Sequence, residues 1–228
     1  MEITYAKLGR AAAVCAIAAG LLFAFIQFIH PDETVANTTT TAWAVTHVLS
    51  MVMAVFAIVG ITGLYLRQVR GSGLLGLTGA VLFSFGWLIV MAHDYFEAAV
   101  LPALAGPAPL FAKDALAVVT GKAVVGDAGG LPLAYTLAGL MFLGGGLVFG
   151  IASFRARVLY RWASLLLAVG ALATVLVAVL PHSLDRLAAF PSAAALVGLG
   201  VSLWRSPVPT DDAPRVIVDE VRLEPARA

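Results

Sequence analysis

The stretch Trp43-Ala44-Val45-Thr46-His47-Val48-Leu49-Ser50-Met51-Val52-Met53-Ala54-Val55-Phe56-Ala57-Ile58-Val59-Gly60-Ile61-Thr62-Gly63-Leu64-Tyr65-Leu66 contains no Asp, Glu, Lys or Arg and stops at Arg67 and Arg70. As a helix rising 1.5 Å per residue it is about 36 Å long, enough to cross a hydrocarbon core of roughly 30 Å. Its polar interruptions are single residues, and all of its backbone polar groups can be satisfied within the helix, as a lipid environment demands. The segment therefore predicts a membrane-spanning helix.

Runs of the same kind recur along the chain. They predict span one over Leu8–Ile29, span two over Trp43–Leu66, span three from Leu74 to Leu104, span four over Leu133–Phe154, span five over Val158–Leu180 and span six over Leu187–Trp204. The composition agrees: 61% of residues are hydrophobic, 12% are charged, and the mean hydropathy is +0.97. A soluble domain carries about twice that charged fraction. The expected fold class is all-α, a polytopic transmembrane helical bundle of six spans occupying residues 1–205, with a flexible Pro- and charge-rich cytoplasmic tail over 206–228. The first apolar run is too long for a signal peptide and lacks a cleavage pattern, so it is expected to be retained.

Basic residues orient the bundle. Lys7, Arg10, Arg67, Arg70, Arg155, Arg157, Arg161 and Arg205 flank one set of span ends, whereas Lys113, Lys122 and Arg186 flank the other. The positive-inside rule then puts both termini in the cytoplasm, in a multi-pass protein of the cell membrane. The net charge of +1 is spread over these flanks, so no nucleic-acid partner is expected. Cys15 is the sole cysteine, which excludes an intrachain disulfide and multi-cysteine zinc or iron–sulfur sites. Thr38–Thr41 suits an N-cap ahead of span two. The connection from Pro107 to Pro132 predicts a short interfacial helix, Leu110–Val119, followed by a turn at Gly126, Gly129 and Gly130. Gly139, Gly144, Gly145, Gly146 and Gly150 in span four predict close helix packing.

The four histidines, His30, His47, His93 and His182, all fall toward the non-cytoplasmic ends of their spans. His47 lies inside span two. In span three, Leu74 to His93 already covers roughly 28 Å, yet apolar sequence continues past Asp94 and Glu97 through Ala98-Ala99-Val100-Leu101. His93 and Glu97 are four residues apart and Asp94 and Glu97 three, so they share overlapping helix faces. Ionisable groups at such depth are costly unless they face a cavity or a partner, which makes His47, His93, Asp94 and Glu97 the candidate site. His30, Asp32, Glu33, His182 and Asp185 read more simply as solvated helix-end and loop residues. Phe28, Trp43, Trp87, Tyr95 and Phe96 lie at the same level. They read either as an interfacial aromatic belt or as the walls of a substrate pocket.

The stretches His30-Pro31-Asp32, Thr40 to His47, Ile61 to Val69 and Phe96 to Pro102 resemble a family of small actinobacterial membrane proteins, mostly of unassigned function. The resemblance extends over nearly the whole chain up to His182. In size and span count the chain is also similar to bacterial membrane-bound terpene cyclases acting on prenylated indole or diketopiperazine substrates. That likeness implies a reaction class and no particular residues.

Two chemistries are open on these residues. An isoprenoid cyclase acting on a prenylated small molecule needs a carboxylic acid as proton donor, for which Glu97 and Asp94 are candidates. It also needs a relay or base, for which His93 and His47 are candidates, and aromatic faces against cationic intermediates. It uses no cofactor and no metal. Alternatively, His47 and His93 on consecutive antiparallel helices could ligate a haem, or with the carboxylates a metal, or serve a quinone. No recognised cofactor sequence accompanies them. A small transporter or accessory protein is the third reading. At this size a transport role would require an oligomer.

Overall fold

The computed structural model describes residues 4–177 and 186–206. His182, Asp185 and the tail beyond Ser206 lie outside the described residues, as does the end of expected span five. Every element among the described residues is helical: α1 (Tyr5–Ile29), a 3₁₀ turn (Asn37–Thr39), α2 (Thr41–Tyr95), a π-helical turn (Phe96–Val100), α3 (Leu101–Leu104), α4 (Pro109–Val119), α5 (Leu131–Ala156), α6 (Arg161–Val177), a second 3₁₀ turn (Arg186–Ala188) and α7 (Ala189–Arg205). Among the described residues, four helical segments are long and apolar enough to cross a membrane: Tyr5–Ile29, Thr41–Leu104, Leu131–Ala156 and Arg186–Arg205.

The second of these segments is a folded-back pair. Gly73 interrupts α2 with φ 54° and ψ −148°, a conformation that residues with a Cβ rarely adopt, and it divides the helix into arms 41–72 and 74–95. Contacts between Trp43 and Glu97 and between His47 and Asp94 show that the arms lie side by side and antiparallel. Spans two and three were expected to be joined by a short loop after Leu66. Instead the first helix runs on through Arg67 and Arg70 as far as Ser72, and a single residue makes the reversal. The expected N-cap is present, with Thr40 accepting from the Trp43 amide at 3.2 Å.

Helix neighbours close into a ring. α1 packs against α2 and α7, α2 against α5, α5 against α6, and α6 against α7. The first arm meets α1 and the second meets α5, each at a glycine. A Cβ on Gly60 would lie 2.8 Å from Ala16 Cα, and one on Gly145 would lie 2.2 Å from the Phe83 amide nitrogen. Small residues let backbones approach where lipid supplies no hydrophobic drive for association. The packing expected of the span-four glycines holds at Gly145, Gly146 and Gly150. Gly139 and Gly144 face open space.

The two faces of the first arm show how the ring is solvated. His47, Ser50, Ala54, Ala57, Ile61 and Leu64 are buried, while Val45, Val48, Val52, Val55 and Val59 are exposed. Polar and small side chains turn inward, joined by Ile61 and Leu64 farther along the arm, and a row of valines turns outward, an arrangement compatible with a bilayer. At the end of the ring where Trp43 lies, α4 covers an apolar cluster of Trp43, Leu101, Ala112, Ala115 and Leu116. Asp114 on α4 fixes the following turn by accepting from the amides of Val125 (2.9 Å) and Gly126 (2.8 Å).

Candidate functional site

The site begins with a local departure from the α-helix. Pro102 has no amide hydrogen and its ring would crowd the carbonyl one turn back. Upstream of it the helix widens into the π turn Phe96–Val100, with the Leu101 amide reaching back to the Phe96 carbonyl. Glu97 sits on this turn and is buried. The Trp43 indole N–H donates to the Glu97 backbone carbonyl at 2.7 Å, tying the wide turn to the start of the first arm. One helical turn beyond Trp43 on the same arm, His47 is carried between Asp94 at the end of the second arm and Glu97 on the π turn.

His47 Nδ1 lies 2.9 Å from Asp94 Oδ1 in a hydrogen bond. Its Nε2 lies 3.2 Å from Glu97 Oε2, within ion-pair distance but without hydrogen-bond alignment. The imidazole is 2% exposed. Each gap needs a proton, because a nitrogen lone pair facing a carboxylate lone pair repels it. On its far side Glu97 accepts a short hydrogen bond from the Tyr135 hydroxyl of α5. The Tyr135 ring stacks on His93, with ring centroids 3.8 Å apart and planes 10° from parallel. Asp94, His47, Glu97 and Tyr135 thus form a continuous polar string across three helical segments.

Asp94 is the member of the string that faces open volume. A cavity of ≈ 310 Å³ is lined by Asp94, Ser50, His30, Glu33, Gln27 and Arg186, and by the apolar side chains Phe23, Ile26, Met53 and Val90. That volume lies at the small end of the range for small-molecule pockets. Arg186 Nη1 donates to the His30 carbonyl at 2.9 Å, holding the end of α1 against the cavity mouth. The His30 ring meets His47 edge-on at 5.2 Å between centroids and donates from Nδ1 to the Pro31 carbonyl at 2.8 Å. Burial holds the His30 imidazole below its ordinary pKa, with the Pro31 hydrogen bond opposing. Behind Phe23 stand Trp87 and Phe142, with edge-to-face centroid distances of 5.5 and 6.3 Å.

The structure gathers His47, Asp94 and Glu97 into one contact set and adds His93 at one remove, through Tyr135. Trp43 is fully buried and supports the site through the Glu97 carbonyl and its ring contact with His47 at 4.4 Å. Trp87 backs the cavity wall. Phe96 packs beneath α4 against Phe111. Tyr95, 59% exposed, and Phe28, 76% exposed, are not brought to the cavity, and Phe28 packs on Phe190 instead. His30 and Glu33, read as solvated from the sequence, line the cavity, whereas the Asp32 side chain is exposed. Tyr135 and Ser50 escaped the sequence reading, and Arg186 was read only as a basic flank. The available signal for Tyr135 was a hydroxyl-bearing residue near the start of an apolar run, at the end where the sequence places the histidines.

His47 and His93 do not face one another across a shared space, since His47 meets carboxyl groups and His93 meets Tyr135. Among the described residues no group of three or more His, Cys, Asp or Glu side chains is placed to hold a metal ion. No family model, curated protein or solved structure matches the chain.

Proposed function

We propose that this chain is a six-span protein of the cell membrane, with both termini cytoplasmic, whose cavity cyclises an isoprenoid chain by proton addition. The carrying observation is the placement of Asp94. It lines a cavity shared with the apolar side chains Phe23, Ile26, Met53 and Val90, while its carboxyl is hydrogen-bonded to a buried histidine that also abuts a second carboxyl. Asp94 in its acid form gives its proton to the oxygen of a terminal epoxide, or to an alkene carbon, of a substrate that enters laterally from the bilayer. As the C–O bond opens, a neighbouring C=C attacks the cationic carbon and closes a ring. The Phe23 ring, backed by Trp87 and Phe142, faces the cationic charge. A final proton leaves carbon for the imidazole of His30, which lines the same cavity, and passes from there to the Asp94 carboxylate, so the acid is restored while His47 holds it in place. The net reaction is an isomerisation and consumes no co-reactant.

The test is conversion of an isoprenoid alcohol bearing a terminal epoxide by purified protein in lipid nanodiscs, followed by chromatography for a product of equal mass and altered retention. Wild type is expected to convert it. Asp94→Asn is expected to lose at least about a hundredfold of the rate, the scale of general acid catalysis. Absence of conversion of epoxide and alkene substrates alike overturns the reaction. Full activity in Asp94→Asn overturns the site.

A second reading rests on the same polar string, which could pass protons between the cavity and Tyr135 without chemistry on a substrate. Proton flux into liposomes carrying the protein, abolished in Glu97→Gln and insensitive to isoprenoids, would favour it.

A further inference from the structure

The opposite end of the bundle carries a second built feature. Tyr135 lies near the start of α5 and Arg155 near its end, about 30 Å away by helical rise. There α5 ends at Arg157, whose φ is 57°, and a short turn leads into α6 at Arg161. Phe154, Arg155, Arg157 and Arg161 line a recess of ≈ 440 Å³. The Arg161 guanidinium lies over the Phe154 ring, 4.2 Å from its centroid, which fixes its plane while leaving its N–H edges free to donate. Arginines at a membrane boundary commonly serve as anchors and fan outward. These three border one recess, and none of them forms an ion pair with a carboxylate among the described residues.

We infer that Arg155, Arg157 and Arg161 form a binding site for a phosphate ester. Guanidinium forks match phosphate oxygens in pairs. Three positive groups around one recess, without a carboxylate partner among the described residues, call for an anion of more than one oxygen. The recess lies at the end of a ring whose outer face is apolar, so the headgroup of an anionic phospholipid, with its chains along that face, meets both demands. A soluble phosphate compound shares the chemistry.

The test uses full-length protein in nanodiscs of phosphatidylcholine mixed with phosphatidylglycerol, with retained lipids counted by native mass spectrometry after release. Wild type is expected to keep phosphatidylglycerol preferentially. The variant Arg155→Gln/Arg157→Asn/Arg161→Gln is expected to lose that preference about tenfold or more. Arg70→Gln/Arg205→Gln, which removes charge at the same end, is expected to keep it. Equal loss in both variants overturns the site in favour of general surface charge. So does the absence of any preference in wild type, a result that does not depend on whether the triple variant folds. Adding pyrophosphate to wild type separates the sources: displacement of the lipid assigns the site to soluble phosphates, and its retention assigns the site to the headgroup, each upholding a phosphate-ester site.

Discussion

His47 and Asp94 are joined by a hydrogen bond of 2.9 Å across the two arms of a single helical hairpin, forty-seven positions apart in the chain. The bond sets the axial register of the arms at the end remote from the Gly73 reversal. It also decides which carboxyl of the second arm faces the cavity. The same imidazole then abuts Glu97, so one buried ring fixes two carboxyl groups.

Removing that ring should cost stability as well as activity. His47→Ala leaves two buried carboxyl groups without their shared partner, and a loss of about 3 kcal/mol is expected. Melts of the purified protein followed by tryptophan fluorescence measure it. The double variant His47→Ala/Asp94→Asn should lose less than the sum of the singles, by about 1 kcal/mol or more. Strict additivity would show that the two side chains do not interact.

Tyr135→Phe isolates the far end of the string. The ring keeps its stack on His93 and only the donor to Glu97 is lost. Stability should fall by about 1–2 kcal/mol, and turnover in the epoxide assay should fall while apparent substrate affinity holds, because Tyr135 does not line the cavity. An unchanged turnover would remove Tyr135 from the string.

Gly145 and Gly144 are adjacent in sequence and opposite in environment. A methyl group at Gly145 collides with the Phe83 backbone, which cannot move aside as a flexible side chain could. Gly145→Ala should therefore part α5 from the second arm, costing about 2 kcal/mol or more. Gly144→Ala meets open space and should be neutral or slightly stabilising through better helix propensity. Paired thermal melts decide it, and equal effects would contradict the packing described.

Gly73→Ala tests the reversal between the arms. Nothing lies within 4 Å of its Cβ position, so the penalty comes from backbone conformation alone, at about 1–2 kcal/mol. Gly139→Ala, also in open space but with ordinary helical dihedrals, is the control. A melt in which Gly73→Ala behaves like Gly139→Ala would mean that the reversal does not require the positive φ.

The amino-acid sequence by itself determined the helices, their apolar character and the gathering of the histidines at one end, opposite most of the basic residues. Those properties follow from chain-local causes: hydropathy, backbone hydrogen bonding and the placement of Gly, Pro and charge. The pairing of Asp94 with Glu97 was legible for the same reason, since helical spacing alone puts them on overlapping faces. Only the tertiary structure decided which residues meet. The rotation of each helix about its axis set Tyr95 and Phe28 outward, although they stand at the level of the site. Packing of α1 against the first arm turned His30 from a helix-end residue into part of a cavity wall. The rotational setting of α5, held at Gly145 against Phe83, brought the Tyr135 hydroxyl to Glu97. Such contacts depend on the joint placement of three or more helices, and no single stretch of sequence carries that information.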